Sequence, residues 1–442
     1  MPAAPADSAL YTRLFGDDET ARLFTDSAEL RAMLLVEGAL ARAQGDLGLI
    51  PADAAAFISR AAAEVQIDPA ALAAETARNG VPVPALLAAF RKAAEAPDPM
   101  QWVHWGATSQ DIMDTALALR LRPVLALWET RLDALLSRLA TLAGETADLP
   151  ATARTYGQAA TPTSFGAMVA AWGWPLIGWR DDLPALRDAV LQVSLSGAAG
   201  TLSAMGDQGP AVRAALAQSL GLRDPGHSWH SDRSGPARLA AFAAGLAGSL
   251  GKMGEDLLLL TQSGIDEVTL RSAGGTSSTM PQKQNPVAPS ALVALARHGI
   301  GLSGLVQGAA LHRQQRDGAA WFSEWLSLPQ LCISTGRMLS LALQIAENIT
   351  PNTAALARNL DGGTGLIHAE ALTFALTDRL PRTEAEALVK SLCAEATASG
   401  TPLLHLAAQR FPDSDWPALL ATKQLGQAPA EARAFADKVT RG

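Results

Sequence analysis

The sequence predicts an all-α protein built on long, closely packed helices, and three observations predict it. Apolar residues recur at steps of three and four: Leu132, Leu135, Leu136, Leu139 and Leu142 after Trp128, then Phe242, Leu246, Leu250, Met253, Leu257 and Leu260 after Leu239, then Trp325, Leu328, Leu331, Met338 and Ile345. Alternating runs of β-branched or aromatic residues bounded by turns are scarce. Ala and Gly recur between larger apolar residues that spread beyond one narrow stripe, as in helices packed on several sides. A monomer of such helices would expose a large apolar patch, so a homo-oligomer is expected.

Composition narrows the class further. The 442 residues are 48% apolar and 18% charged, which excludes a disordered chain and supplies a large core. A net charge of −8, from 35 basic and 43 acidic residues, argues against affinity for nucleic acid phosphates. Cys332 and Cys393 are too few for a disulfide framework or a thiolate zinc site, and the seven histidines (104, 227, 230, 298, 312, 368 and 405) form no HxxxH pair, so no metal is expected. The start of the chain carries no basic segment followed by an apolar one, and the apolar stretch Leu239–Leu250 is bounded by Arg238 and Lys252. The expectation is a cytoplasmic protein with no membrane span.

Shorter helices punctuated by Pro51, Pro69, Pro82 and Pro84 are expected over residues 1–99, a central set of long helices over 100–350, and a smaller cap over 351–442, with Thr350-Pro351-Asn352 as the second boundary. In HWGATSQDIMDTA, residues 104–116, Thr108 and Ser109 precede a helix expected to begin near Asp111, where a hydroxyl would serve as N-cap. His104, beside Trp102 and Trp105, reads as a packed histidine or a ligand contact. ARTYGQAATPTSFG, residues 153–166, reads as a turn between helices held by Pro162. Residues 271–290, RSAGGTSSTMPQKQNPVAPS, are expected to be a loop, loosened by Gly274 and Gly275 and kept from being helical by Pro281, Pro286 and Pro289. A linker is one reading. The other is a mobile loop closing on an anionic substrate, since Ser277, Ser278, Lys283 and Asn285 crowd hydroxyls, a cation and an amide into nine positions.

SSTMPQKQNP, residues 277–286, resembles the signature of the aspartase/fumarase superfamily, whose members add or eliminate a group across a bond next to a carboxylate. The resemblance implies a long central helical bundle with smaller N- and C-terminal helical domains. It implies Ser277 as the base for the proton α to a carboxylate, Lys283 in catalysis with Asn285 holding substrate and stabilising charge, and Ser278 and Met280 as further substrate contacts. Such a proton transfer builds a dianionic aci-carboxylate, so cations and N–H donors must stand where that charge develops. Serine needs help from Lys283 or loop N–H groups to act as a base. The first signature is matched by residues 104–116, which implies carboxylate binding by His104, Thr108, Ser109 and Gln110 at a helix N-terminus. The second is matched by residues 153–166, through Arg154, Thr155 and Gln158, with Tyr156 where fumarate-forming members carry histidine. HSWHSDRSGPARLA, residues 227–240, adds His230 and Arg233 as candidate contacts, and Arg316-Asp317 also matches, with Gln315 where glutamate is common.

Two departures bear on the substrate. Val81-Pro82-Val83-Pro84 stands where adenylosuccinate lyases carry a His-Asp pair, and Tyr156 removes the second histidine, so no general acid remains for an amine leaving group. A carboxylate leaving group needs none. The chain is most similar to the bacterial 3-carboxy-cis,cis-muconate cycloisomerases, in which a substrate carboxylate adds to a conjugated double bond of the same molecule to give 4-carboxymuconolactone. That branch implies a small tricarboxylate substrate, no cofactor, a place in protocatechuate degradation towards β-ketoadipate, and a homotetramer whose three signatures meet from three chains. The alternatives are adenylosuccinate lyase or another fumarate-releasing lyase and, from another class, a catalytically silent helical tetramer, which would have no need of Ser277 beside Lys283.

Overall fold

Twenty-one residues from Asp26 form helix α1 (Asp26–Asp46), whose N-cap Thr25 accepts a hydrogen bond from the Ala28 amide. It packs on α2 (Ala52–Glu64) at close range, because small residues face each other. A Cβ on Gly38 would stand 2.9 Å from that of Ala62, and one on Gly45 2.3 Å from that of Ala55. Helix α3 (Val83–Ala94) closes this group with Leu86 and Phe90, both fully buried. Five long helices follow, α4 (Ser109–Glu145), α5 (Phe165–Val190), α6 (Ser234–Leu260), α7 (Val287–Gly308) and α8 (Gly318–Asn348), of which α4, α6 and α8 contain the three apolar series read from the sequence. The computed structural model describes residues 4–271, 275, 279–280, 283–416, 418 and 425–441.

The chain divides into two compact units, residues 1–130, 179–248 and 294–339, and residues 131–178, 249–293 and 340–442. In the first, Met33, Val36, Ile58, Leu86 and Phe90 share one core with Ile112, Val193, Leu216 and Trp321. Trp128, Phe242 and Trp179 bring α4, α6 and α5 together there: the first two rings stack at 6.2 Å, and Trp179 meets Phe242 edge-on at 5.7 Å. In the second unit Leu372, Leu376, Val389, Leu392, Leu403 and Trp416 form a separate core among the C-terminal helices. No described helix is long and apolar enough to cross a membrane.

Three local expectations are corrected. Residues 153–166 are not a turn between helices but most of an antiparallel hairpin, β1 (Pro150–Thr155) and β2 (Gln158–Ser164), with Thr155 opposite Gln158. The two residues between them have positive φ, Tyr156 +52° and Gly157 +73°, the combination that lets a two-residue turn follow the strand twist. A second small pair joins Val268–Leu270 to Ile349–Pro351. Helix α4 begins at Ser109, two residues earlier than expected, because Asp111 reaches back to the Thr108 amide (3.0 Å) and ties down the first turn. Helix α7 begins at Val287 and so contains Pro289, since a proline in the first turn loses no intrahelical bond.

The hairpin is held at its base by the turn that follows α4: the Phe165 amide donates to the Leu149 carbonyl (2.8 Å) and the Gly166 amide to the Thr146 carbonyl (3.0 Å). A Cβ at Gly166 would lie 2.4 Å from the Ala143 carbonyl oxygen and 2.8 Å from backbone atoms of Ala147, none of which can swing aside. Gly166→Ala is therefore expected to lower unfolding stability by about 1–3 kcal/mol, measured by urea denaturation.

Candidate active site

In the first unit the start of α4 gathers the residues of the first signature. Asp111 is fully buried, and its carboxylate accepts from the backbone amides of Thr108 (3.0 Å), Ser196 (2.8 Å) and Gly197 (2.9 Å) and from His230 Nε2 (2.7 Å). Gln110, also fully buried, donates to Asp114 Oδ2 (3.1 Å) and the His230 carbonyl (2.9 Å) and accepts from Arg316 Nε (2.8 Å). The structure thus brings Gln110, His230 and Arg233 into one network with Asp111 and Asp114. Thr108 and Ser109 are half-buried beside it, and among the described residues no partner holds their hydroxyls. Neither hydroxyl makes the capping bond expected of it; Asp111 makes the reciprocal one, accepting from the Thr108 amide.

Arg233 sits at the centre of a buried triad. Its guanidinium forks onto both oxygens of Asp114 (2.7 and 3.1 Å) and both of Glu324 (2.6 and 3.0 Å), while its carbon lies 4.9 Å over the Trp229 ring. Burial disfavours the charged guanidinium, but Asp114 and Glu324 outweigh it and hold Arg233 above its ordinary pKa. Burial pushes the Glu324 carboxyl up, against the pull of Arg233 and with the help of Asp114. Four of the five N–H donors are spent inside the fold, so this geometry makes Arg233 a support for α4, α6 and α8.

In the second unit Arg154 grips Glu267 with two parallel hydrogen bonds (2.6 and 2.8 Å), and Asn359 donates to the same carboxylate (2.9 Å). The bond to Glu267 raises the Arg154 pKa, against some burial. The hairpin is thereby tied to the segment leading into residues 271–290. Thr155, Tyr156 and Gln158 stand exposed at its tip, Tyr156 completely, with no side-chain hydrogen bond among the described residues. Met280, Lys283 and Asn285 are exposed too. The Asn285 amide donates to the Gly275 carbonyl (2.8 Å), closing the neck of that stretch. Gly275 has φ +84°, and a Cβ there would lie 2.5 Å from the Asn285 carbonyl oxygen, so the neck requires glycine. Ser277 and Ser278 lie outside the described residues.

A family model described as "Lyase" matches residues 15–301. The chain belongs to the lyase family. Over 401 residues it is 38% identical to the 3-carboxy-cis,cis-muconate cycloisomerase of Pseudomonas aeruginosa, covering 90% of this chain and 87% of that one. Over 420 residues it is 37% identical to the protein of the same name from Pseudomonas putida, covering 94% and 99%. The crystal structure of the 3-carboxy-cis,cis-muconate lactonizing enzyme from Pseudomonas putida superposes with a TM-score of 0.91 at 34% identity, covering 98% and 99%. The aspartase/fumarase fold expected from the sequence is the fold of this lyase.

The candidate residues are held by carboxylates that sequence reasoning did not single out: in the first unit Asp111 and Asp114 on α4, Glu324 on α8 and Glu37 on α1, and in the second unit Glu267 beside the hairpin. Only Asp111 left a signal, as the acidic residue three positions after Thr108. Arg233 also separates two roles by experiment. Arg233→Met would leave two carboxylates buried without a cation, with an expected loss of about 3–5 kcal/mol in unfolding stability. A variant of unchanged melting temperature that only binds substrate more weakly would instead make Arg233 a ligand contact.

Proposed function

We propose that this lyase is a 3-carboxy-cis,cis-muconate cycloisomerase. The observation that carries the reading is likeness to proteins of that name over 94% of this chain and 99% of the relative. A carboxylate of the substrate attacks the conjugated double bond of the same molecule. The C–O bond forms, the π pair moves into an aci-carboxylate, and the α-carbon takes a proton. Ser277 carries that proton. Lys283, Asn285 and backbone N–H groups stabilise the dianion, and Thr108 and Ser109, whose hydroxyls are uncommitted, bind carboxylate oxygens at the N-terminus of α4. Gln110 steadies Arg316 for the same task, and Gln158 and Tyr156 reach the substrate from the hairpin tip. A carboxylate nucleophile or leaving group needs no proton donor of its own, which fits a tyrosine at 156.

The reading extends to a cytoplasmic homotetramer with sites shared between chains, acting in protocatechuate degradation. Two features support the assembly: Tyr156, Gln158, Lys283 and Asn285 are exposed in a single chain, and Leu259, Ile300, Leu305 and Leu326 on the long helices are exposed as well. Incubation with 3-carboxy-cis,cis-muconate is expected to remove the diene absorbance. Ser277→Ala should slow this about 10²–10⁴-fold at unchanged melting temperature. Fumarate release from adenylosuccinate, with the muconate left intact, would replace this reading with that of a fumarate-forming lyase. Inertness towards both substrates would favour the silent scaffold.

A further inference from the structure

His104 and Glu37 form a pair whose geometry goes beyond packing. His104 Nδ1–H donates to Glu37 Oε1 at 2.6 Å. The Glu37 side chain is completely enclosed, and its second oxygen, Oε2, has no hydrogen-bond partner. Glu37 and Gln44 lie seven residues apart on the same buried face of α1, and Gln44 donates to the Trp105 carbonyl (2.7 Å), so one helix grips the turn at both residues. The turn has an uncommon backbone: His104 has φ +65°, a left-handed conformation that few non-glycine residues adopt and that histidine and asparagine adopt more readily than most, and it aims the ring back at α1. The imidazole is 17% exposed, and among the described residues Nε2 has no partner. His104 stands four residues before Thr108 on the approach to α4.

We propose that Glu37 is a positioning residue that holds His104 as a cationic carboxylate clamp, with Nε2–H donating to a substrate carboxylate beside Thr108 and Ser109. The clamp deepens the reading of the preceding subsection and rests on it for the identity of the substrate. The charges facing the imidazole are Glu37 from α1, Asp111 from α4 and Arg91 from α3. Burial disfavours the imidazolium and Arg91 opposes it slightly, but Glu37 and Asp111 outweigh both, so His104 titrates above the ordinary histidine value. A histidine raised in this way keeps its proton below its own pKa and loses it as pH rises through it. Carboxylate binding is therefore strong on the acid side and fades on the alkaline side.

The test uses Glu37→Gln, which keeps the shape and an acceptor, and His104→Asn, since asparagine tolerates a left-handed backbone. With 3-carboxy-cis,cis-muconate, His104→Asn is expected to raise KM about 10- to 100-fold, the loss of one charge-assisted hydrogen bond, with little change in kcat. Glu37→Gln should shift the alkaline fall of kcat/KM to lower pH. Melting temperatures of both variants identify any that misfold. Calorimetric binding of propane-1,2,3-tricarboxylate, at about pH 6 and about pH 9, reads the clamp without turnover. The wild type should bind more weakly at the higher pH, and His104→Asn weakly at both. If the wild type binds this probe with that pH dependence but leaves the muconate untouched, the substrate reading fails and the clamp stands. If folded His104→Asn binds as tightly as the wild type, or Glu37→Gln leaves the pH profile unmoved, the clamp is wrong.

Discussion

One enclosed carboxylate organises the first unit. Asp111 has no contact with water, so its charge is tolerable only because donors surround it: three backbone amides and an imidazole, all at 2.7–3.0 Å. The amides come from the turn before α4 and from residues 196–197, the imidazole from residue 230. Removing the carboxylate would orphan every one of those donors in a dry interior. The turn at residue 108, the loop at 194–197 and the segment before α6 are therefore not independently placed. They converge because one charge has to be satisfied.

The same requirement sorts the candidate polar residues within each unit. Gln110, Arg233 and Arg154 have the types that bind carboxylates, but their donors are committed to Asp114, Glu324, Glu267 and a backbone carbonyl. What they supply is rigidity. Thr108, Ser109, Lys283 and Asn285 have side-chain groups left over, and these are the groups assigned to the chemistry above. A site for a multiply charged anion gains from this separation, because donors fixed by buried ion pairs need no rearrangement when charge develops.

The long helices were legible because their signal is local. Trp128 to Leu142 and Leu239 to Leu260 repeat at helical spacing within a few turns, and burial of that face is what the structure shows. The candidate site residues are named only through resemblance in the short signatures, and their division into supporting and free groups has no trace in the sequence. Asp111 meets His230, and Arg233 meets Glu324, across separations of 119 and 91 residues that carry no periodic trace. The hairpin escaped notice for a different reason. Its strands are rich in Ala, Thr and Pro rather than in large β-branched or aromatic residues, and its turn carries Tyr-Gly where Asn-Gly or Asp-Gly would announce it.

That turn contains a residue whose backbone conformation is costly. A tyrosine at φ +52° places its Cβ against the following carbonyl, at about 1–2 kcal/mol, where glycine or asparagine would sit with little strain. The ring returns nothing to its own chain, since it is fully exposed and touches no core. Beneath it, Arg154, Glu267 and Asn359 hold the strand in place by buried, charge-assisted bonds. A rigid stalk that presents a strained, solvent-facing aromatic is the pattern expected of a residue whose contacts come from outside its own chain. In the assembly proposed above, those contacts are the substrate and the signatures of neighbouring copies, and the strain is offset there rather than within the protomer.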